Sequence, residues 1–447
     1  MEVLLSMEET SSTGEQKEYS HRLMKNVLDK YDYLPARDKA MMKRMTEGCV
    51  ERQLELDYVI GQFSSLPVRK MKPFIRNLLR MSTYQILYMD RIPDSAVCNE
   101  AVNLAQKKGF RNLKGFVNGV LRNIARGKEK IVWPDAQKDP LAYLSVRYSM
   151  PVPIVKLWLD EYGREDTERM LEGLLQIHPV SIRFQTSLDK KQRMEYIARM
   201  EALGVTVRPS PYLEYAYLLE KTDNVAMLPG FLQGAFTVQD VSSMLAVEAA
   251  APGADDFVID VCAAPGGKSI LAAEKAGKVL ARDVSESKLP LIEENFFRMN
   301  CDNVTVQQWD GRVTDENYLE KADIVFLDVP CSGLGVIGKK RDIKYHVSEE
   351  SFAELETLQK AIIEGSWRYV KPGGILLYST CTIHREENEK MCEWVCRNFP
   401  FELQSMENNL PDCLKERAKG GMLQLMPGKD DCDGFFFAKL RRKPKEA

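Results

Sequence analysis

The chain is poor in histidine, with four in 447 residues, and no third group is placed to orient a cysteine–histidine hydrolase pair. It also lacks a charge excess. Lys and Arg total 62 against 65 Asp and Glu, a net charge of −3, so the whole molecule is not a basic nucleic-acid binder and any such role must come from local patches. No secretory signal and no long uncharged apolar run is present, which leaves membrane insertion unsupported. The ten cysteines lack the tight spacing of a secreted disulfide scaffold and suggest the reducing cytoplasm. Cys392 and Cys396 lie one helical turn apart, but no second Cys/His pair with zinc spacing accompanies them. They read as structural, and no metal is expected. Internal repeats and low-complexity tracts are missing too.

What is present divides the chain into several parts. Over residues 1–127 the apolar positions follow a helical period: Leu79, Ile86 and Leu87; Val97, Ala101, Leu104 and Ala105; Val117, Val120, Leu121 and Ile124. An all-α domain is expected there. Residues 128–140, within GKEKIVWPDAQKDP, read as a linker. Residues 141–222 read as a small α+β region, with helix positions Met170, Leu171, Leu174 and Leu175, a strand in SIRFQT, a helix ending at Gly204 and a strand in VTV. From 223 to 447 strand–loop–helix units alternate, the mark of a parallel, Rossmann-like α/β sheet. FVIDV, KVLAR, VTVQQ, IVFLDV and ILLYST are its expected strands; SILAAEKA, SKLPLIEENFFRM and REENEKMCEWV are expected helices.

Ligands of open α/β sheets bind beyond the carboxyl ends of the strands, and here those ends carry the chemistry. DVCAAPGGKS follows the first strand and opens a helix. Its small residues allow a ligand close to the backbone. It is neither GxGxxG nor a P-loop, because GxxxxGK[ST] would need glycine where Cys262 stands, so a dinucleotide or triphosphate is disfavoured. The next strand ends at Asp283, 283 − 260 = 23 positions beyond Asp260, near the separation of a ribose-binding carboxylate. Asp310 follows the third strand in WDGR. Taken singly, each acid is as readily a solvated loop carboxylate or a helix cap. Together they suit an adenosine ligand with a carboxylate and no phosphates, S-adenosylmethionine.

The later strands end in DVPCSGLG, with Asp328 three residues before Cys331, and in YSTCTIH, with Cys381. A lone cysteine is usually core filler. Two at the strand ends of one sheet suggest a nucleophile, which needs thiolate character from a helix N-terminus or a cation. Cys381 is expected just before a helix whose first turn holds Glu386 and Glu387. Methyl transfer to carbon 5 of cytosine has use for such a group. Carbon 5 is a weak nucleophile until a thiolate adds to carbon 6. A second group must then help the carbon 5 proton leave, and a carboxyl can orient the base.

DVCAAPGGKS, DVPCSGLGV with the following RDIKY, and YSTCTIHREENE resemble the RNA (cytosine-5)-methyltransferases of the RsmB/Nop2/NSUN group. LRMSTYQILYMDRIPDSAVCNEAVNLAQKKG and FVNGVLRNIAR resemble the NusB-like RNA-binding module. The combination is similar to the RsmB/Sun type, which acts on 16S ribosomal RNA, over nearly the whole chain. It implies a NusB-like domain over 1–127, a connecting region over 141–222 and a SAM-dependent catalytic domain over 223–447. It also implies Cys381 as nucleophile, Cys331 as the group assisting product release, and Asp328 on the cofactor, the base or both. The implied cofactor loop is Cys262, Ala263, Ala264, Pro265, Gly266, Gly267 and Lys268, with acidic contacts Asp283, Asp310 and Asp328. Valine in DVPCS stands where alanine is common. MEVLLSMEE is short for the first helix of such a module, and SSTGEQKE reads as a mobile loop. The implied protein is a monomer with an RNA partner.

Basic residues crowd 107–130: Lys107, Lys108, Arg111, Lys114, Arg122, Arg126, Lys128 and Lys130 against Glu129. Such a run is often only a solvated helix face; the sharper reading is a phosphate-contacting patch. Lys339, Lys340 and Arg341, and the tail from Lys439 to Lys445, are further candidates.

Overall fold

The computed structural model describes residues 1–13, 20–31, 33–176, 178–222 and 224–444. They form two compact units: Met1–Leu175 with Ile337–His346, and Gln176–Val336 with Val347–Ala447. Most of SSTGEQKE, and Lys445 of the basic tail, lie outside the described residues.

The first unit is helical among its described residues: α1 (Glu2–Thr13), α2 (Ser20–Lys30), α3 (Ala36–Glu51), α4 (Gln53–Phe63), α5 (Pro73–Tyr88), α6 (Asp94–Lys107), α7 (Lys114–Gly127), α8 (Pro140–Arg147) and α9 (Val152–Leu174). Proline in the first turn starts α5 and α8, where a missing N–H costs nothing. The Asp139 side chain caps α8 by accepting from the Ala142 N–H. Leu79, Ile86, Val97, Ala101, Ala105, Val117, Val120, Leu121 and Ile124 all enter one buried core, and Leu87 and Leu104 pack against it half-buried. The helical period therefore placed these side chains as expected. Gly163, at φ +76°, breaks α9 into two stretches.

The compact units divide the chain elsewhere than at 140 and 222. The stretch read as a linker is tied down: the Val132 carbonyl accepts from Tyr58 Oη at 3.0 Å and Gln62 Nε2 at 3.1 Å, and Trp133 stacks on Tyr58. Ser149 Oγ accepts from the Leu54 N–H. These bonds hold α8 and α9 with the N-terminal helices. The segment Ile337–His346 belongs to this unit as well. Arg341 pairs with Glu47 and Glu51, Asp342 accepts from the Ser20 N–H and hydroxyl, and Tyr345 Oη donates to the Val50 carbonyl. Lys344, 2% exposed, donates to the carbonyls of Glu51 and Ser149.

The second unit opens with a small antiparallel sheet of order β2–β3–β1–β4, from β1 (Val180–Phe184), β2 (Thr206–Pro209), β3 (Ala216–Glu220) and β4 (Phe236–Val238). Helix α10 (Lys190–Glu201) starts in a capping box between Asp189 and Gln192 and packs on it. Then come α11 (Val241–Ala250), β5 (Phe257–Asp260), α12 (Gly267–Ala273), β6 (Lys278–Asp283), α13 (Leu289–Arg298), β7 (Val304–Gln308), β8 (Ala322–Asp328), α14 (Glu349–Ser366), β9 (Val370–Thr380), α15 (Glu389–Asn398), β10 (Phe401–Leu403), α16 (Asp412–Ala418), β11 (Met422–Leu425) and β12 (Phe435–Arg442). The main sheet runs β10–β12–β9–β8–β5–β6–β7, with β11 also paired to β12. Strands β5 to β9 are parallel, and β12 runs antiparallel to β9. Successive side chains point to opposite faces. Val258, Ile324, Phe326, Ile375 and Leu377 therefore face α11, α12 and α16, while Ile259, Val325, Leu327, Leu376 and Tyr378 face α14 and α15. This is a three-layer, Rossmann-like sheet. The winding reverses between β5 and β8, which puts the ligand crevice at their carboxyl ends.

Candidate active site

Parallel pairing of β8 with β9 sets Asp328 opposite Ser379. The chain leaves both strands there, so Cys331 and Cys381 emerge side by side, their sulfurs 3.2 Å apart and hydrogen-bonded. Both are free thiols, half-buried. The Cys331 loop is pinned by the Gly335 N–H, which donates to the Cys381 carbonyl at 3.0 Å, and by the Gly434 N–H, which donates to the Gly335 carbonyl at 3.0 Å. A Cβ on Gly335 would sit 1.9 Å from the Gly434 oxygen, so only glycine lets these backbones meet. Ser332 Oγ and Thr382 Oγ1 share a hydrogen bond of 2.6 Å.

The glycine turn lies beyond β5. Gly266 has φ +102° and starts α12, a conformation that favours glycine. One position into the helix, buried Lys268 sends its ammonium to Asp328 Oδ2 at 2.6 Å and Ser243 Oγ at 3.2 Å, over the Phe435 ring. Ser379 Oγ donates to Asp328 Oδ1 at 2.9 Å. Asp328 thus links the glycine turn, through Lys268, to the strand that ends just before Cys381. Asp283 Oδ2 accepts from the Ala264 N–H at 3.2 Å and Oδ1 from the Ser285 N–H at 2.9 Å. Cys262 and Ala264 are half-buried, Ala263 and Gly266 buried, Pro265 exposed. Asp310 is half-buried and salt-bridged to Arg312 at 2.6 Å; that bond holds its carboxyl below the usual carboxylate range. Buried Asp260 accepts from Ser269 Oγ, and its Oδ1 has no hydrogen-bond partner among the described residues.

Burial sets the proton affinities. It pushes the Asp260 carboxyl up to about 7 and raises the Cys262 thiol, which leaves Cys262 a neutral, inert loop residue at physiological pH. The Cys331 thiol stands well above its ordinary value, first through the hydrogen bond with Cys381, then through burial and the nearby charges of Cys381 and Glu387.

Several expectations need correction. Helix α15 begins only at Glu389, so Cys381 is not at its N-terminus and Glu387 is not in its first turn. Glu387 is instead fully buried and accepts hydrogen bonds from Ser332, Gln359 and His384. His384 turns Nδ1 to Glu387 and its ring to Phe352. Arg341 is occupied by Glu47 and Glu51. Of the residues read as a basic tail, those from Lys439 to Arg442 belong to β12: Lys439 is buried and donates to Asn409 Oδ1, and Arg442 is buried against Glu320 and the Val370 carbonyl. Lys107, Lys108, Arg111, Lys114, Arg122 and Arg126 are exposed on and between α6 and α7, as are Lys339 and Lys340 on their own segment. Sequence reading missed Ser332, Gln359 and the burial of Glu387; the acid stood inside the YSTCTIHREENE motif as the one available signal.

Comparison with known proteins agrees with this architecture. Residues 247–441 match the family model described as 16S rRNA methyltransferase RsmB/F, and residues 1–126 match the NusB family. The chain is 34% identical to the probable ribosomal RNA small subunit methyltransferase B of Bacillus subtilis (strain 168) over 99% of this chain and 98% of that protein. It is 32% identical to the ribosomal RNA small subunit methyltransferase B of Proteus mirabilis (strain HI4320), covering 94% and 93%. Among solved structures, PH0851 superposes with a TM-score of 0.77 at 25% identity, over 98% of this chain and 96% of that one. With a NusB-family region ahead of a thiol-bearing Rossmann-like sheet, the chain belongs to the RsmB/F family of 16S rRNA methyltransferases.

Proposed function

We propose that the protein transfers a methyl group from S-adenosylmethionine to carbon 5 of a cytosine in 16S ribosomal RNA, through a covalent bond between Cys381 and the base. The observation that carries this reading is the pair of sulfurs 3.2 Å apart, next to an Asp328–Lys268 bridge rooted in the glycine turn. The crevice suits such a cofactor: small residues and a positive-φ glycine admit close approach, Asp283 stands at the end of the adjacent strand, and Lys268 offers a cation. Bound there, S-adenosylmethionine supplies an electrophilic sulfonium methyl.

The Cys381 thiolate adds to carbon 6, and the ring electrons displaced by the new sulfur–carbon bond make carbon 5 nucleophilic. Asp328, held by Lys268 and Ser379, orients the base through its ring nitrogen and amino group. After methylation Cys331 assists loss of the carbon 5 proton, whose bonding electrons restore the ring double bond as the sulfur–carbon 6 bond breaks. A target in structured RNA must be unstacked first, which single-stranded or loop sites make cheapest. The exposed basic residues of α6 and α7 contact phosphates in this reading.

The test is a pair of variants assayed with RNA and S-adenosylmethionine. Cys381→Ser should abolish both methylation and the covalent adduct. Cys331→Ser should accumulate protein trapped on RNA in denaturing gels. The opposite pattern would exchange the two roles, and absence of S-adenosylmethionine binding in calorimetry would favour a non-catalytic assembly factor instead.

A further inference from the structure

Two thiols in hydrogen-bond contact cannot both ionise readily, because like charges in contact disfavour each other. Something must decide which sulfur carries the negative charge. The residues around Cys331 are asymmetric in this respect. Glu387, 0% exposed, accepts from the Ser332 N–H at 2.9 Å and from the Ser332 hydroxyl. It also accepts from Gln359 Nε2 at 2.9 Å and His384 Nδ1 at 3.2 Å. Tyr378 Oη donates to the Glu387 carbonyl at 2.7 Å. The carboxylate is therefore fastened to the residue after Cys331 from one side and to α14 from the other.

We propose that Glu387 is the positioning residue that assigns the two sulfurs their roles: it clamps the Cys331 loop against the Cys381 loop and, by its charge beside Ser332, reserves the anion for Cys381. The inference rests on the covalent mechanism above and deepens it. Cys331 is faced by Cys381 beyond β9, by Glu387, and by the Tyr378 hydroxyl of β9; the opposing influence is the Gly333 N–H. Glu387 itself is faced by Ser332, Gln359 and His384. Negative charge near Cys331 favours its neutral form, in line with the upward displacement of that thiol. With the proton kept on Cys331, its S–H donates to the Cys381 sulfur and stabilises the thiolate there. A neutral Cys331 is also a poor competitor for carbon 6, since thiolate and not thiol is the nucleophile.

The experiment is limited alkylation of the reduced full-length protein by iodoacetamide across a pH series, with the two cysteines resolved by peptide mass spectrometry. In the wild type Cys381 should react at lower pH than Cys331. Glu387→Gln, nearly isosteric, should lower the Cys331 midpoint by about one pH unit and narrow the gap. Glu387→Asp, which keeps the charge, should preserve the wild-type order. Unchanged midpoints in a folded Glu387→Gln protein would overturn the proposal and leave Glu387 a core-filling carboxylate. If that variant does not fold, the wild-type order decides, because Cys331 reacting first overturns the proposal outright. Neither RNA nor S-adenosylmethionine enters the measurement. A protein that shows the shift yet methylates no RNA therefore sinks the function and spares the clamp.

Discussion

Each unit buries an ionisable group whose proton affinity burial moves to about 7, and the two arrive from opposite directions. In the sheet unit it is the Asp260 carboxyl, raised; in the helical unit it is the Lys344 ammonium, lowered. The consequences for stability have opposite signs. Between the unfolded carboxyl value and about 7 the folded sheet unit binds the extra proton, so its stability falls as pH rises through that window. Between about 7 and the unfolded lysine value the unfolded chain binds the extra proton, so the helical unit gains stability as pH rises there. The buried acid beside the glycine turn keeps an acceptor, Oδ1, without a hydrogen-bond partner among the described residues. A buried lysine spanning two helix ends has its hydrogen bonds made by the carbonyls of Glu51 and Ser149.

The largest effect expected from this contrast is in the sheet unit. Relative to Asp260→Asn, which can still accept from Ser269, wild type should lose on the order of 4 kcal/mol between about pH 4 and about pH 7. Urea unfolding read by peptide-level hydrogen exchange measures it, and a flat difference over that range breaks the comparison. Next comes Lys344→Met. Wild type should gain on the order of 3 kcal/mol over this variant between about pH 7 and about pH 9.5, seen in helical-unit peptides. A flat difference over that window would mean that the ammonium keeps its proton between its carbonyls. The smallest effect lies on the surface. Reversing Lys107, Lys114 and Arg122 to Glu should weaken RNA binding and reduce the salt slope by about 0.7–0.9 per lost phosphate contact. Unaltered affinity would leave these residues as solvated surface.

The parts legible in the sequence were those governed by local pattern. The strands FVID, KVLARD and ADIVFLD stand where short apolar or branched runs placed them, because parallel strands covered on both faces read as such runs; the edge strand VTVQQ, with no buried residue, is marked by its branched residues. Strand β12 was not legible: Lys439 and Arg441 look like a solvated tail until pairing with β9 puts the chain in a sheet. The start of α15 was misplaced because Asn388, inside the run read as a helix, spends its side chain on Thr380, Thr382 and Gln424 and leaves the helical region at φ −111°, ψ −99°. Local propensity gave way to a tertiary hydrogen-bond network. The anchoring of the stretch read as a linker was not legible either, since the Tyr58 and Gln62 contacts to Val132 are invisible without α4 beside it.

The sequence by itself determined that acids and thiols stand at the ends of successive strands, since period and punctuation mark where each strand stops. Only the tertiary structure decided that two cysteines 50 positions apart share a hydrogen bond, because that follows from the strand register pairing Asp328 with Ser379. Register is fixed by side chains packing on both faces of the sheet, and no local stretch of the chain encodes it.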